Sequence, residues 1–132
     1  MGDADTATSL LAWLAEQGYE TTAEVAGAGA GGNRLTRLVR GTCQVTVSRD
    51  RGQWYVEAGP VDRAGFDMNI WEAYLREQLP PPEPMPFADE VLLLRNVLFE
   101  IERTVNLDDD AVARLDALQE WVQETRWSSH AF

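Results

Sequence analysis

Two alternating stretches joined by a short polar turn constrain this fold more than any other feature of the sequence. Polar and apolar side chains alternate from Thr42 to Ser48, and again from Gln53 to Ala58. This period of two is that of a strand with one buried face. The segment Arg49-Asp50-Arg51-Gly52 has turn composition, so the pattern predicts an antiparallel hairpin over residues 42–59.

Strand-forming composition continues on the N-terminal side of this hairpin. Leu35–Arg40 predicts a neighbouring strand with a bend at Gly41, and Tyr19–Val25 has a weaker strand pattern. Between them lies a Gly-rich loop, residues 26–33, which formally matches the GxGxxG pattern of dinucleotide sites. Such a site requires a strand directly before the glycines and a helix directly after them. We therefore interpret the loop as a connection between strands.

Helical periodicity occupies both ends of the chain. It predicts helices over about 5–17, 67–78 and 87–104, and a fourth helix starting after Asp108. Asp67 is a suitable N-cap for the second helix, and Phe66 before it has the spacing to pack on Trp71. A Pro-rich spacer, residues 80–86, separates the second and third helices because consecutive prolines cannot continue a helix.

These elements predict a single α+β domain over residues 1–132. We expect an N-terminal helix and a small antiparallel sheet of three to four strands, with three further helices packed on one face of the sheet. The third helix carries a second apolar stripe, Leu92 and Phe99, opposite its core face. We expect this stripe to be sandwiched between layers, with dimerisation through Leu92 and Phe99 as the alternative.

The charge balance limits the classes of partner. The chain has 22 acidic residues against 11 basic ones, all arginines, giving a net charge of −11. Such a charge repels phosphate backbones and anionic membranes, so we expect neither nucleic-acid nor membrane binding. The absence of lysine excludes Schiff-base and phosphate-loop chemistry. One cysteine and an N-terminus without a signal-peptide pattern predict a cytoplasmic protein.

No residue pattern predicts a catalytic, cofactor or metal site. Asp108-Asp109-Asp110 is interpreted as helix capping, because it lacks the spacing of a calcium loop. His130 is the only histidine, and Cys43 alternates with valines, which predicts a buried structural thiol. A carboxylate pair formed by Glu57 with Asp62 or Asp67 is the one enzymatic arrangement left open.

Two segments resemble a known class of proteins. GTCQVTVSRDRGQWYVEAGP, residues 41–60, and FDMNIWEAYL, residues 66–75, are similar to segments of small acidic immunity-type proteins of actinobacterial toxin systems. The resemblance covers about a quarter of the chain. It implies a cytoplasmic antidote that occludes the active site of a toxin, with acidic side chains in place of the toxin's anionic substrate.

We therefore predict an acidic protein-binding module, without enzymatic activity, that uses charge to steer a basic partner and aromatic residues for affinity. The candidate contact residues are Asp62, Asp67, Glu72, Glu77 and Trp127. A small-ligand-binding or carboxylate-dependent hydrolase domain is one alternative. A secretion or assembly chaperone that dimerises through Leu92 and Phe99 is another.

Overall fold

The computed structural model is an α+β arrangement with the predicted order of elements. It describes residues 2–27, 33–81, 83, 85–107 and 109–130, with side chains in the last range for residues 110–125. The helices are α1 (Asp3–Glu16), α2 (Met68–Arg76), α3 (Phe87–Leu107) and α4 (Asp109–His130). The strands are β1 (Glu20–Ala26), β2 (Arg34–Arg40), β3 (Cys43–Asp50), β4 (Gln53–Pro60) and β5 (Phe66–Asp67).

The five strands form one antiparallel sheet in the order β1-β2-β3-β4-β5. The predicted hairpin is β3 and β4, paired from Cys43 with Pro60 to Asp50 with Gln53. Its turn residues, Arg51 and Gly52, have φ of 54° and 81°, as a two-residue type I′ turn requires. The sheet has five strands where three to four were expected. The strand not expected is β5, which has only two residues and leaves no periodic signal in the sequence.

The core lies between the hairpin and the helices. Cys43, Val45 and Val47 of β3 are buried, as are Val56 and Ala58 of β4. Helix α3 packs on β3 and β4, α2 packs on β4 and β5, α1 packs against α3, and α4 packs against α2 and α3. Their buried apolar residues include Leu10, Leu14, Leu94, Ile101 and Leu115. Burial of the Cys43 side chain agrees with its interpretation as a structural thiol.

The start of α2 confirms part of the predicted capping. Asp67 occupies the N-cap position, but its side chain makes no capping hydrogen bond. The rings of Phe66 and Trp71 meet edge to face with centroids 6.3 Å apart, so the predicted staple is present. The Trp71 indole N–H also donates to the Ala58 carbonyl at 2.8 Å, which joins α2 to β4.

Several boundaries differ from the predictions. Helix α2 ends at Arg76 rather than near residue 78, because Glu77 adopts a left-handed conformation with φ of 54°. Helix α4 continues to His130, where the sequence showed no clear period. Leu92 and Phe99 are 60% and 70% exposed, so the expectation that a second layer covers this stripe is wrong.

Some predicted features lie outside the described residues: residues 28–32 of the Gly-rich loop, Pro82 and Pro84 of the spacer, and Asp108.

Candidate functional site

The predicted contact residues do not share one surface. Asp62 is exposed in the β4–β5 loop, Glu72 is half-buried on α2, and Glu77 is exposed just after α2. Asp67 is the last residue of β5 and lies in the sheet. Trp127 belongs to α4, but its side chain lies outside the described part of the chain. Apart from Asp62, which stays in its loop, and Trp127, the structure therefore distributes the candidates over three places.

One of these places is a group of three carboxylates, Glu57, Asp67 and Glu90, called here the carboxylate trio. Glu57 and Asp67 are cross-strand neighbours, since β5 pairs with β4 at these two residues. Helix α3 adds Glu90 from its first turn, and a Glu90 carboxylate oxygen accepts a hydrogen bond from the Val56 N–H at 3.1 Å. The predicted meeting of Glu57 with Asp67 is thus present, and it includes a third acid.

The surroundings of the trio favour the protonated form of its buried members. Burial raises the pKa of Glu90 to about 8, and the negative charges of Asp67 and Glu57 act in the same direction. The hydrogen bond from Val56 opposes that shift. Burial, assisted by the Asp67 charge, also raises the pKa of Glu57. Like charges brought together with little water are costly, so protonation of one carboxylate lowers the free energy of the trio.

No pattern in the sequence indicated that Glu90 would be buried. It follows Asp89 in the first turn of α3, where acidic residues are expected to be exposed and to stabilise the helix dipole. Its burial arises from where α3 crosses the sheet. β5 pairs with only two residues of β4, so it does not reach the Val56 N–H. The Glu90 carboxylate accepts this hydrogen bond in place of a longer β5.

The second place is a cleft of about 490 Å³ between α2, the Pro-rich spacer and α3, called here the acidic cleft. Three acidic side chains line it: Glu72, Glu83 and Asp89. One arginine, Arg76, also lines it and pairs with Glu72 one helical turn away, with 3.7 Å between nitrogen and oxygen. The lining also includes two amides and an apolar floor, formed by Asn69, Asn96, Met85, Leu92 and Leu93.

The acidic cleft and the carboxylate trio are adjacent along the chain. Asp89 in the cleft immediately precedes Glu90 in the trio, and Glu72 follows Asp67 by five residues. Counting one charge per side chain, the cleft has three negative charges and one positive charge. A cleft with this lining attracts a guanidinium or ammonium group and repels anions.

Glu77 lies at the third place, a larger cleft of about 700 Å³ between the end of α2 and α4. Its lining is mostly apolar and includes Leu79, which is 61% exposed. Glu77 and Arg114 contribute opposite charges there. This balance of charge does not distinguish a basic partner from an acidic one.

The buried Tyr19 hydroxyl and Cys43 thiol have structural roles. The Tyr19 hydroxyl donates to Glu102 at 2.8 Å, and Arg40 pairs with the same carboxylate at 3.3 Å, which joins the sheet to α3. Burial raises the pKa of the Cys43 thiol to about 11, so the thiol is protonated at neutral pH and is a poor nucleophile. In the described ranges, His, Cys, Asp and Glu side chains form no group of three or more suited to a metal ion.

Comparison of the chain with protein-family models, with curated proteins and with solved structures found no match. Among the described residues, no helix is both long enough and apolar enough to cross a bilayer.

Proposed function

We propose that this protein is a binding module that recognises a basic surface of another protein through the acidic cleft. The observation that carries the proposal is the lining of the cleft, where Glu72, Glu83 and Asp89 surround a single arginine that is already paired. A partner arginine or lysine placed there gains charge-assisted hydrogen bonds. The net charge of −11 adds long-range attraction to any basic protein and raises the association rate.

Within this class, an inhibitor of the immunity type is the function we propose. An enzyme that acts on an anionic substrate has a basic active site, and an acidic cleft is complementary to such a site. The resemblance of residues 41–60 and 66–75 to immunity-type proteins supports this choice. The proposal includes a cytoplasmic location, a protein partner rather than nucleic acid or membrane, and no catalytic activity.

The alternative of a carboxylate-dependent hydrolase has one observation in its favour. Glu90, with a pKa raised to about 8, lies near ionisable Asp67 and Glu57, and general acids in such enzymes are tuned in this way. However, Glu90 is only 6% exposed, and its carboxyl already accepts the Val56 N–H. These two facts support a structural role for Glu90, and we therefore rank binding above catalysis.

The test compares two variants with equal loss of charge. One variant carries Glu72→Gln and Glu83→Gln in the acidic cleft, and the control carries Glu16→Gln and Glu24→Gln, both exposed on α1 and β1. Each tagged protein is used for affinity capture from lysate of its source cells at low and high salt. Captured proteins are identified by mass, and association rates are then measured with the purified partner.

We expect a basic partner that is captured at low salt and lost at high salt. The cleft variant should lower its association rate by about tenfold or more, and the control by much less, because steering depends on charge near the contact. An empty capture at both salt concentrations contradicts the proposal. Equal losses in the two variants contradict the assignment of the cleft.

A further inference from the structure

The exposed stripe of α3 has the geometry of a helix-packing surface. Leu92 and Phe99 are 60% and 70% exposed and lie seven residues apart, which places them about 10 Å apart on one side of the helix. Asp89, Asn96 and Arg103 extend the same side at spacings of three and four residues. The stripe is therefore an apolar pair with an acidic residue at one end and a basic residue at the other.

A hollow lies beside the first apolar residue of this stripe. It is a cleft of about 450 Å³ between α1 and α3, and Leu92 forms part of its wall together with Val91 and Ala88. Arg95, also in its wall, is oriented by stacking on Trp13 with 5.4 Å from guanidinium carbon to ring centroid. Phe99 itself projects from α3 seven residues further on. The α1 side of the hollow is polar, with Asp5, Thr6 and Ser9. The same surface thus presents both a protruding aromatic ring and a hollow with an apolar wall on α3.

The charges at the two ends of the stripe are complementary to each other. Asp89 lies on α3 at the Leu92 end, and Asp5 of α1 lines the hollow at that end. Arg103 lies at the Phe99 end. Among the described residues, neither Asp89 nor Arg103 forms an ion pair within one copy. Two identical stripes placed antiparallel bring each acidic end to a basic end.

We propose that α3 is the interface of a twofold homodimer, in which the stripe of one copy packs antiparallel on the stripe of the other. Phe99 of each copy enters the hollow beside Leu92 of its partner, and Arg103 of each copy faces Asp89 of its partner. A twofold axis repeats every contact, so these few residues are used twice. At physiological ionic strength the Debye length is about 8 Å, which limits the repulsion between two chains of charge −11.

The first experiment measures oligomeric state by sedimentation equilibrium from about 1 to 100 µM near physiological salt. We expect a concentration-dependent dimer for the unmodified protein. Phe99→Ser should raise the dimer dissociation constant by about tenfold or more, because an apolar ring loses its burial. The control Leu79→Ser removes an equally exposed apolar side chain from the cleft between α2 and α4 and should leave the dimer unchanged. Far-UV circular dichroism checks that each variant is folded.

The second experiment tests the antiparallel arrangement by exchanging charges. Arg103→Asp alone and Asp89→Arg alone each place like charges opposite one another and should weaken the dimer. The double variant restores opposite charges and should recover most of the affinity, which a merely structural effect of either substitution would not do. Failure of the double variant to recover overturns the antiparallel arrangement.

Two results overturn the dimer itself. One is a monomer throughout the concentration range, and the other is equal weakening by Phe99→Ser and Leu79→Ser. If the protein is monomeric but Phe99→Ser abolishes capture of a different protein, the stripe binds that protein and not a second copy of this chain. Asp89 and Leu92 also line the acidic cleft, so the dimer covers one edge of that cleft. The variant Glu72→Gln/Glu83→Gln leaves the stripe residues themselves unchanged, and a dimer that persists in this variant while capture of a basic partner is lost separates the two proposals.

Discussion

Strands β1 and β4 belong to the same sheet, yet the structure surrounds them very differently. β4 pairs with β3 and β5, receives the Glu90 carboxyl at its remaining edge, and buries Val56 and Ala58 completely. β1 pairs only with β2, and six of its seven residues are exposed, including Val25 at 61%. Backbone pairing is therefore similar in the β1–β2 half and the β3–β4 half of the sheet. The side chains of β4 are much more buried than those of β1.

This difference indicates where the stability of the fold resides. A two-stranded ribbon without a covered face is marginal in water, because its hydrogen bonds replace bonds to water and little apolar area is removed. In β2 the only buried side chain is Leu38. Backbone pairing and exposed hydrogen bonds between Thr22 and Arg37 therefore hold β1 to the rest of the sheet. The helices cover the β3–β4 half of the sheet, so we expect most of the stability to come from that half.

The largest expected contrast between the halves comes from two truncations. Trp71→Ala removes a completely buried indole that packs on Phe66 and bonds to Ala58, and should cost about 3–5 kcal/mol of the free energy of unfolding. Val25→Ala on β1 should change it by less than about 0.5 kcal/mol. Urea unfolding measures both. Comparable losses would show that β1 contributes to the core as much as α2 does.

A smaller change in stability is expected at the edge of β4, where it depends on the protonation of Glu90 and therefore on pH. Because the pKa of Glu90 is raised from 4.5 in the unfolded chain to about 8 in the fold, the folded state binds the extra proton between these values. Stability therefore falls as pH rises from about 5 to 8, by at most about 1.4 kcal/mol per pH unit. Glu90→Gln removes this titration and should make the protein more stable than the unmodified chain at pH 8.

The control for this prediction is Glu100→Gln, an exposed position on the same helix. Urea unfolding of the three proteins at pH 5 and pH 8 gives the comparison. Glu100→Gln should retain the pH dependence of the unmodified protein, while Glu90→Gln should weaken it and leave the part due to Glu57, whose pKa is also raised. If all three proteins lose stability equally between the two pH values, the titration responsible is not that of Glu90.

The smallest expected effects distinguish the two tight turns at opposite ends of β3. Arg51 has φ of 54° in the β3–β4 turn, a conformation that asparagine adopts more readily than arginine. Arg51→Asn should stabilise the fold by about 0.5 kcal/mol. Gly41, with φ of 60° in the β2–β3 turn, already suits its position, so Gly41→Ala should destabilise by about 1 kcal/mol. Thermal unfolding shows whether each substitution raises or lowers the stability of the fold. An increase in stability for both variants would contradict the turn geometry.

Elements with a local cause were predictable from the sequence. Alternation and turn composition located the hairpin, and the spacing of Phe66 and Trp71 located the staple that begins α2. The weak pattern of residues 19–25 did correspond to a strand, although its exposed side chains gave little periodic signal. Helix ends were less predictable, since the left-handed Glu77 ends α2 without a glycine or proline at that position.

The candidate site was predictable only in part. Glu72 was selected for its place on the second helix, but its neighbours Glu83 and Asp89 come from the spacer and the third helix. The sequence left the partner of Glu57 open between Asp62 and Asp67, and the pairing of β5 with β4 selected Asp67. Glu90 joined them through the crossing of α3 over the edge of β4. These groupings join residues far apart in sequence, and periodicity reports only on neighbours a few positions away.

By itself, the sequence determined the α+β class, the hairpin, the order of helices and the excess of negative charge, because each depends on composition or on contacts within one element. Tertiary packing alone decided which carboxylates share a cleft, that Glu90 is buried, and that Leu92 and Phe99 face solvent. The reason is physical: burial and electrostatic environment depend on how separate elements pack, and the same apolar stripe on α3 is compatible with a covered or an uncovered position.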